Sequence, residues 1–359
     1  FRLLFTAGAL YLEGSTWRQV TSPFFAEYSS QGLDDSHLGV PTGDIVRDGA
    51  WSHQSFFGGS LFSSGSQVFT VTDFIQGWSD LGGSAQVGYP VGQQINGGDA
   101  ASQQFTKMTL TLGTTGVQHV RGIIKNHYDA VGGAKSVLGA AVGPERPLSN
   151  GAVQDFEGGR IVCTPSATVT VPKSIADTWD RLGGATGSLG IPTGPPATIG
   201  GNTQQSFTSG YVMSAADGTS HSVRGVALRT FLTEGGLQAL GAPLQSEQLL
   251  SDAVVQEFQR GTVFVPFTGR ATAVSGAMYE EFMRVGSRLA LGYPSGPAST
   301  SAAGAVQRFQ LGSISTSPAG TFSVRGAMRI AYDNSGAHSG PLGFPIGNEV
   351  ASGNGVVQH

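Results

Sequence analysis

The residues of this chain best suited to catalysis or metal ligation are seven histidines, one cysteine and 24 carboxylates. His37, His53, His119, His127, His221, His338 and His359 share no column of any internal pattern. None stands in a His-x-x-x-His spacing with a glutamate, the arrangement that puts two imidazoles and a base on one helix face. A lone Cys163 excludes an intrachain disulfide framework and any multi-cysteine metal site. No Gly-x-Ser-x-Gly elbow comes with a plausible triad, and no phosphate-binding loop of the Walker type appears. The sequence therefore predicts no catalytic residues, no metal and no cofactor. Two carboxylates brought together across the fold are the one route left to a glycoside-acting enzyme.

Ligand contact is better served by aromatic rings and guanidinium groups. Trp17 and Trp51 lie in variable segments where core packing does not account for them, with Tyr211 and Phe62 as weaker counterparts. Such rings stack on the C–H face of a sugar while neighbouring polar groups bond its hydroxyls. Arg121, Arg224 and Arg325 recur in a Val-Arg-Gly string and could hold acidic sugars, against the competing reading of solvated side chains or structural ion pairs.

The elements that must position these groups are set by a repeat of about 51 residues. Its signature stands at Leu38-Gly39-Val40-Pro41 and Val87-Gly88-Tyr89-Pro90, then at Leu138-Gly139-Ala140-Ala141 and Leu189-Gly190-Ile191-Pro192. It returns at Leu240-Gly241-Ala242-Pro243, Leu291-Gly292-Tyr293-Pro294 and Leu342-Gly343-Phe344-Pro345. About 15 residues later comes Gln-x-Phe, at Phe56, Phe105, Phe156, Phe207, Phe258 and Phe309, with Gln358 opening a seventh. A glycine follows three positions on, with Met108 the exception, then a valine column from Val71 to Val324. The last column is aromatic: Trp78, Tyr128, Trp179, Phe231, Phe282 and Tyr332. Subtracting one period places Phe5, Gly8, Val20 and Tyr28 on the same columns.

The fourth unit illustrates what each repeat should form. Residues 152–157 and 160–164 read as strands around Gly158-Gly159, 168–171 as a third, and 174–182 as a helix stopped by Gly183-Gly184. The expectation is two or three strands, one short helix and one glycine-proline turn per unit. The glutamine column is expected to hold that turn through its amide, and the aromatic column to pack in the core. Because one end of the chain supplies half a repeat and the other end the complementary half, residues 1–359 are expected to form a single domain. That domain is a mainly β, closed seven-fold toroid, β-propeller-like, its ring closed by the split terminal repeat. The first residue, Phe1, also suggests a processed, truncated or natively purified product.

Composition narrows the partners. Glycine numbers 55 and proline 17, which suits turns more than long helices. A net charge of −4 with 12% charged residues offers no basic field for nucleic acid. No apolar run nears the roughly 20 residues needed to span a bilayer.

These columns resemble the LGFP repeat family, whose tetrapeptide stands literally at Leu342-Gly343-Phe344-Pro345. The resemblance implies a secreted or envelope-bound actinobacterial protein that attaches to cell-wall polysaccharide. An acidic residue after the tetrapeptide, frequent in that family, is clear here only at Glu145, Glu247 and Glu349. The leading expectation is thus a secreted, multivalent, lectin-like carbohydrate-binding protein that is not an enzyme. A protein-interaction or assembly ring is the alternative, and a glycoside-acting enzyme a more distant one.

Overall fold

Each Gln-x-Phe segment is the inner strand of an antiparallel sheet, because its alternation puts Gln and Phe together on the buried face. The fourth unit shows the pattern in a computed structural model that describes residues 1–353 and 355–358. Strand Gly151–Phe156 turns at Gly158 into Gly159–Cys163, which pairs in turn with Thr168–Pro172. The helix Lys173–Arg181 follows, its buried side holding Ile175 and Trp179. A short 3-10 turn, Gly184–Thr186, then leads to the tetrapeptide.

A fourth strand, Arg146–Leu148, pairs outside Gly151–Phe156 and was not expected from the sequence. It has an equivalent in each of the six four-stranded sheets, for example Val46–Asp48 and Ser299–Ser301. These strands are two or three residues long and mostly exposed, so they carry no apolar alternation to read.

The glycine after Gln-x-Phe has a steric cause. A Cβ at Gly159 would stand 2.3 Å from the carbonyl oxygen of Val171, and one at Gly59 would stand 2.5 Å from that of Val71. Close approach of adjacent backbones at the strand start thus fixes both the glycine and valine columns.

The chain divides into two compact units, Phe1–Lys173 and Ser174–His359. In the first, core residues such as Val20, Tyr28, Leu38 and Phe56 pack at one repeat boundary, and Tyr128, Leu138, Phe156 and Ile161 at another. In the second, Phe231, Leu240, Phe258 and Val263 form an equivalent cluster.

The expected closure of the sheets into a propeller-like toroid is overturned. Strands Arg2–Phe5, Gly8–Glu13 and Thr16–Thr21 make a three-stranded sheet of their own, and Val350–Ser352 with Gly355–Val357 make a separate two-stranded one. The split terminal repeat is therefore not assembled into one sheet, and the expectation of a propeller-type lectin scaffold falls with it. The cause lies in the hairpins, each of which completes its ladder through its own turn. A repeat period specifies the content of a unit and leaves open whether its two halves meet.

Candidate functional site

The tetrapeptide turn is held from three sides. The buried Gln154 amide donates from Nε2 to the carbonyls of Gly143 and His119, both at 2.9 Å. Gly143 lies just beyond the tetrapeptide, and His119 precedes the valine column of the neighbouring repeat. Gln54, Gln103, Gln256, Gln307 and Gln358 make the same pair of bonds in their own repeats. Each glutamine therefore ties a turn to the strand of the repeat before it.

The aromatic column adds a polar contact that its hydrophobic character concealed. Tyr28, Tyr128 and Tyr332 donate their hydroxyls to Gly39, Gly139 and Gly343 at 2.8, 2.8 and 2.6 Å. Trp78 and Trp179 donate Nε1–H to Gly88 and Gly190, both at 2.7 Å. All five acceptors are the glycine carbonyl of the tetrapeptide. Burial pushes the Tyr28 and Tyr128 hydroxyls far above the usual phenol range, which keeps them neutral donors. Phe231 and Phe282 stand on the same column without a donor. Their turns are one residue shorter and wind as α-helix, Gly236–Leu240 and Ser287–Leu291. The third contact comes from backbone: Glu157 and Gly158 donate N–H to Ala140 and Leu138, a pattern that Phe57 and Gly58 repeat on Val40 and Leu38.

Away from these columns, one cluster brings rings and a carboxylate together at a partly exposed edge. Asp48 and Trp51 face each other across the turn at Gly49, in strands Val46–Asp48 and Trp51–Phe56. Tyr89, from the next tetrapeptide, stacks on Trp51 with ring centroids 4.7 Å apart and planes within 3°. The Tyr89 hydroxyl donates to Asp48 Oδ2, and Ser84 Oγ reaches the same oxygen at 3.0 Å. These hydrogen bonds hold the exposed Asp48 carboxyl below its usual range. His53 lies two residues along the strand, stacked on Phe62 at 5.4 Å, and burial lowers its affinity for a proton. Its Nδ1 is buried with no hydrogen-bond partner among the described residues.

The same chemistry returns in the second unit, where Tyr293 donates to Asp252 Oδ1 at 2.6 Å beside Phe264. In both places tyrosine occupies the variable position of the tetrapeptide, and the aspartate lies 41 residues earlier. That spacing was the available signal, and sequence reasoning missed both aspartates and both tyrosines.

Of the sequence candidates, the structure brings Trp51 into the partly exposed pair and sets Phe62 edge-on to Tyr89, with ring centroids 6.4 Å apart. Trp17 is exposed in strand Thr16–Thr21, opposite Leu12 and edge-on to Phe1 at 6.5 Å. Tyr211 is half-buried against the core around Phe231. Phe62 is fully buried. Arg121, Arg224 and Arg325 each immediately precede a helix whose first glycine has φ near +55°. Arg224 stands 3.6 Å from Glu247, and Arg325 3.6 Å from Glu349, so the glutamates after the tetrapeptide face the Val-Arg-Gly guanidiniums. Arg121 is exposed.

Among the described residues no group of three or more His, Cys, Asp or Glu side chains could hold a metal ion. No described helix is long and apolar enough to cross a membrane.

No curated protein matches the chain. Among solved structures, PorZ, an essential surface component of the type-IX secretion system of Porphyromonas gingivalis, is similar at 10% identity and a TM-score of 0.14. The match covers 90% of this chain and 36% of PorZ. The extracellular domain of the putative one-component system BT4673 from B. thetaiotaomicron matches at 7% identity and TM-score 0.15, over 84% of this chain and 37% of that one. YCF48 from Cyanidioschyzon merolae matches at 11% and 0.14, over 76% and 79%. Likenesses this low tie the chain to none of these proteins. The two bacterial matches are also much longer, and this chain spans little more than a third of each. A family model does match: residues 138–187 and 291–340 of this chain are matched by the LGFP repeat.

Proposed function

We propose that this protein binds polysaccharide of a cell envelope, without cleaving it, through several weak subsites placed where its repeats differ. The observation that carries this reading is the stacked Trp51–Tyr89 pair beside an Asp48 carboxylate anchored by two hydroxyls. A partly exposed apolar platform next to a fixed acceptor suits a sugar ring, which presents C–H groups on one face and hydroxyl donors at its edge. The Tyr293–Asp252 pair supplies a related variant in which the tyrosine is buried and the aspartate exposed. Subsites on different repeats engage different parts of a polymer, so modest affinities combine through effective concentration. The LGFP match supports placement outside the cell, since such repeats are typical of secreted and cell-wall actinobacterial proteins.

The test is retention on purified cell-wall polysaccharide, with Trp51→Ala compared against the unmodified protein. Loss of retention on that substitution supports the reading. Retention unchanged by Trp51→Ala, or no retention of the unmodified protein at all, sinks it.

A further inference from the structure

A gap between helix and hairpin that one repeat closes is left open by the next. Thr178, one residue before Trp179 in its helix, donates its hydroxyl to the carbonyl of Ser220 at 3.1 Å, and Arg181 donates to Thr178 at 2.6 Å. Ser220 opens the last strand of the following sheet, Ser220–Arg224, so these bonds fasten the helix to it. In the next repeat Thr230 stands where Thr178 does, one residue before Phe231, but donates back to Val226 O of its own helix at 3.0 Å. Thr233 replaces Arg181 and also bonds within the helix, to Thr230 O at 2.9 Å. No side-chain hydrogen bond among the described residues crosses from helix Gly225–Thr233 to Thr272, the counterpart of Ser220.

A cavity of about 430 Å³ lies in the open gap. Its helical wall is Val226, Arg229, Thr230 and Thr233, at the i, i+3, i+4, i+7 spacing of one helix face. Arg270, from the turn between strands Gly261–Pro266 and Thr272–Ser275, lines it from the hairpin side. Charge changes along with packing. Asp177 and Asp217 hold the corresponding helix and hairpin-turn positions one repeat earlier, so two carboxylates give way to two guanidiniums. Arg224, Arg284 and Arg325 pair with Glu247, Glu281 and Glu349, whereas Arg229 and Arg270 are exposed and make no ion pair or hydrogen bond among the described residues. Glu234 also lines the cavity, and burial raises its carboxyl above the usual range against the opposing field of Arg270. The positive charge of the cavity is therefore only partly offset.

We infer that this cavity binds the charged group of an acidic sugar, a carboxylate or a phosphate, between the guanidiniums of Arg229 and Arg270. Guanidinium forks match both oxyanions through paired N–H donors. At about 430 Å³ the cavity falls within the roughly 300–1,000 Å³ of small-ligand clefts, so it has room for a sugar ring behind the charged group. The Val-Arg-Gly arginines were the sequence candidates for acidic sugars, but Glu247 and Glu349 face Arg224 and Arg325. The role passes to two arginines that stand on no repeat column, at a place where adjacent repeats differ in both packing and charge. The sugar rests on the polysaccharide reading, while the oxyanion contact rests on the cavity alone.

Saturation-transfer NMR on the full chain tests this with glucuronate, glucose 6-phosphate and glucose at about 1–10 mM, the range of a single weak subsite. The parent should bind one of the two acidic sugars at least about tenfold more tightly than glucose, and the tighter of them identifies the anion. Arg229→Gln and Arg270→Gln should each weaken that binding at least about tenfold. Both positions are exposed, so each variant should keep the thermal midpoint of the parent. Glu234→Gln should bind at least as tightly as the parent, and Trp51→Ala should bind like it. Glucose bound as well as the acidic sugars, or the free anion (inorganic phosphate or acetate) bound as tightly as its sugar form, overturns the inference. So does undiminished affinity in either arginine variant, or a loss in Glu234→Gln. A parent retained on polysaccharide that binds neither acidic sugar overturns this inference alone. One that binds an acidic sugar without being retained supports it and sinks the polysaccharide reading instead.

Discussion

Replacing Gln154 by leucine removes the amide while keeping most of the side-chain volume. Gln154 is 1% exposed and donates two bonds of 2.9 Å, so the substitution deletes both and leaves the Gly143 and His119 carbonyls short of a donor. Two net hydrogen bonds are worth about 1–3 kcal/mol, and a dry orphaned carbonyl adds about 1–3 kcal/mol. Working the other way, Gln154 Oε1 is buried without a partner among the described residues, so its loss recovers part of that sum. The balance is a destabilisation of about 2–3 kcal/mol. For a cooperative unit the size of Phe1–Lys173 this corresponds to a fall in Tm of roughly 4–12 °C. Urea denaturation followed by circular dichroism reads the change as a lower midpoint with an unchanged slope. A variant within about 0.5 kcal/mol of the parent would refute the claim that the glutamine column holds the tetrapeptide turn.

Other perturbations probe the same framework. Tyr128→Phe strips the donor from Gly139 and should cost about 1–3 kcal/mol by denaturant titration. Gly159→Ala drives a methyl group into the Val171 carbonyl and should cost more than about 3 kcal/mol, seen as loss of soluble protein or a large fall in Tm. Burial holds His53, His119, His127 and His221 below the usual histidine range. Their neutral forms are favoured by folding, so stability is full above the ordinary value near 6.5 and declines as pH falls through their lowered values. Thermal midpoints recorded from about pH 8 to pH 5 should fall on the acid side, and a flat profile would contradict the assignment.

The columns of the repeat were legible because each is fixed by one contact that admits few residue types. Glutamine reaches two carbonyls at once, glycine clears the valine backbone, and proline closes the turn. The hydroxyl and indole bonds to the tetrapeptide glycine were concealed, since Tyr128 and Trp179 read as core rings and only their polar tips carry the extra role. The outer strand was illegible for a different reason. Three exposed residues such as Arg146–Leu148 have no buried face, so their pairing leaves no mark on composition. Asp48 and Tyr89 escaped because they belong to different repeats and meet only through the stacking of a hairpin tip on the next turn. Closure was misjudged because periodicity reports on neighbours, whereas a sheet shared by residues 1–21 and 350–357 would depend on the summed geometry of everything between them.

The division between scaffold columns and variable, ligand-facing positions is tested most directly by titrating one wall-derived oligosaccharide into the parent, Trp51→Ala and Tyr128→Phe proteins by calorimetry. Loss of the stacking surface should weaken binding at least about tenfold in Trp51→Ala, or ~1.4 kcal/mol. Tyr128→Phe, though less stable, should bind like the parent. Undiminished binding in Trp51→Ala, or an equal loss in both variants, would contradict the account.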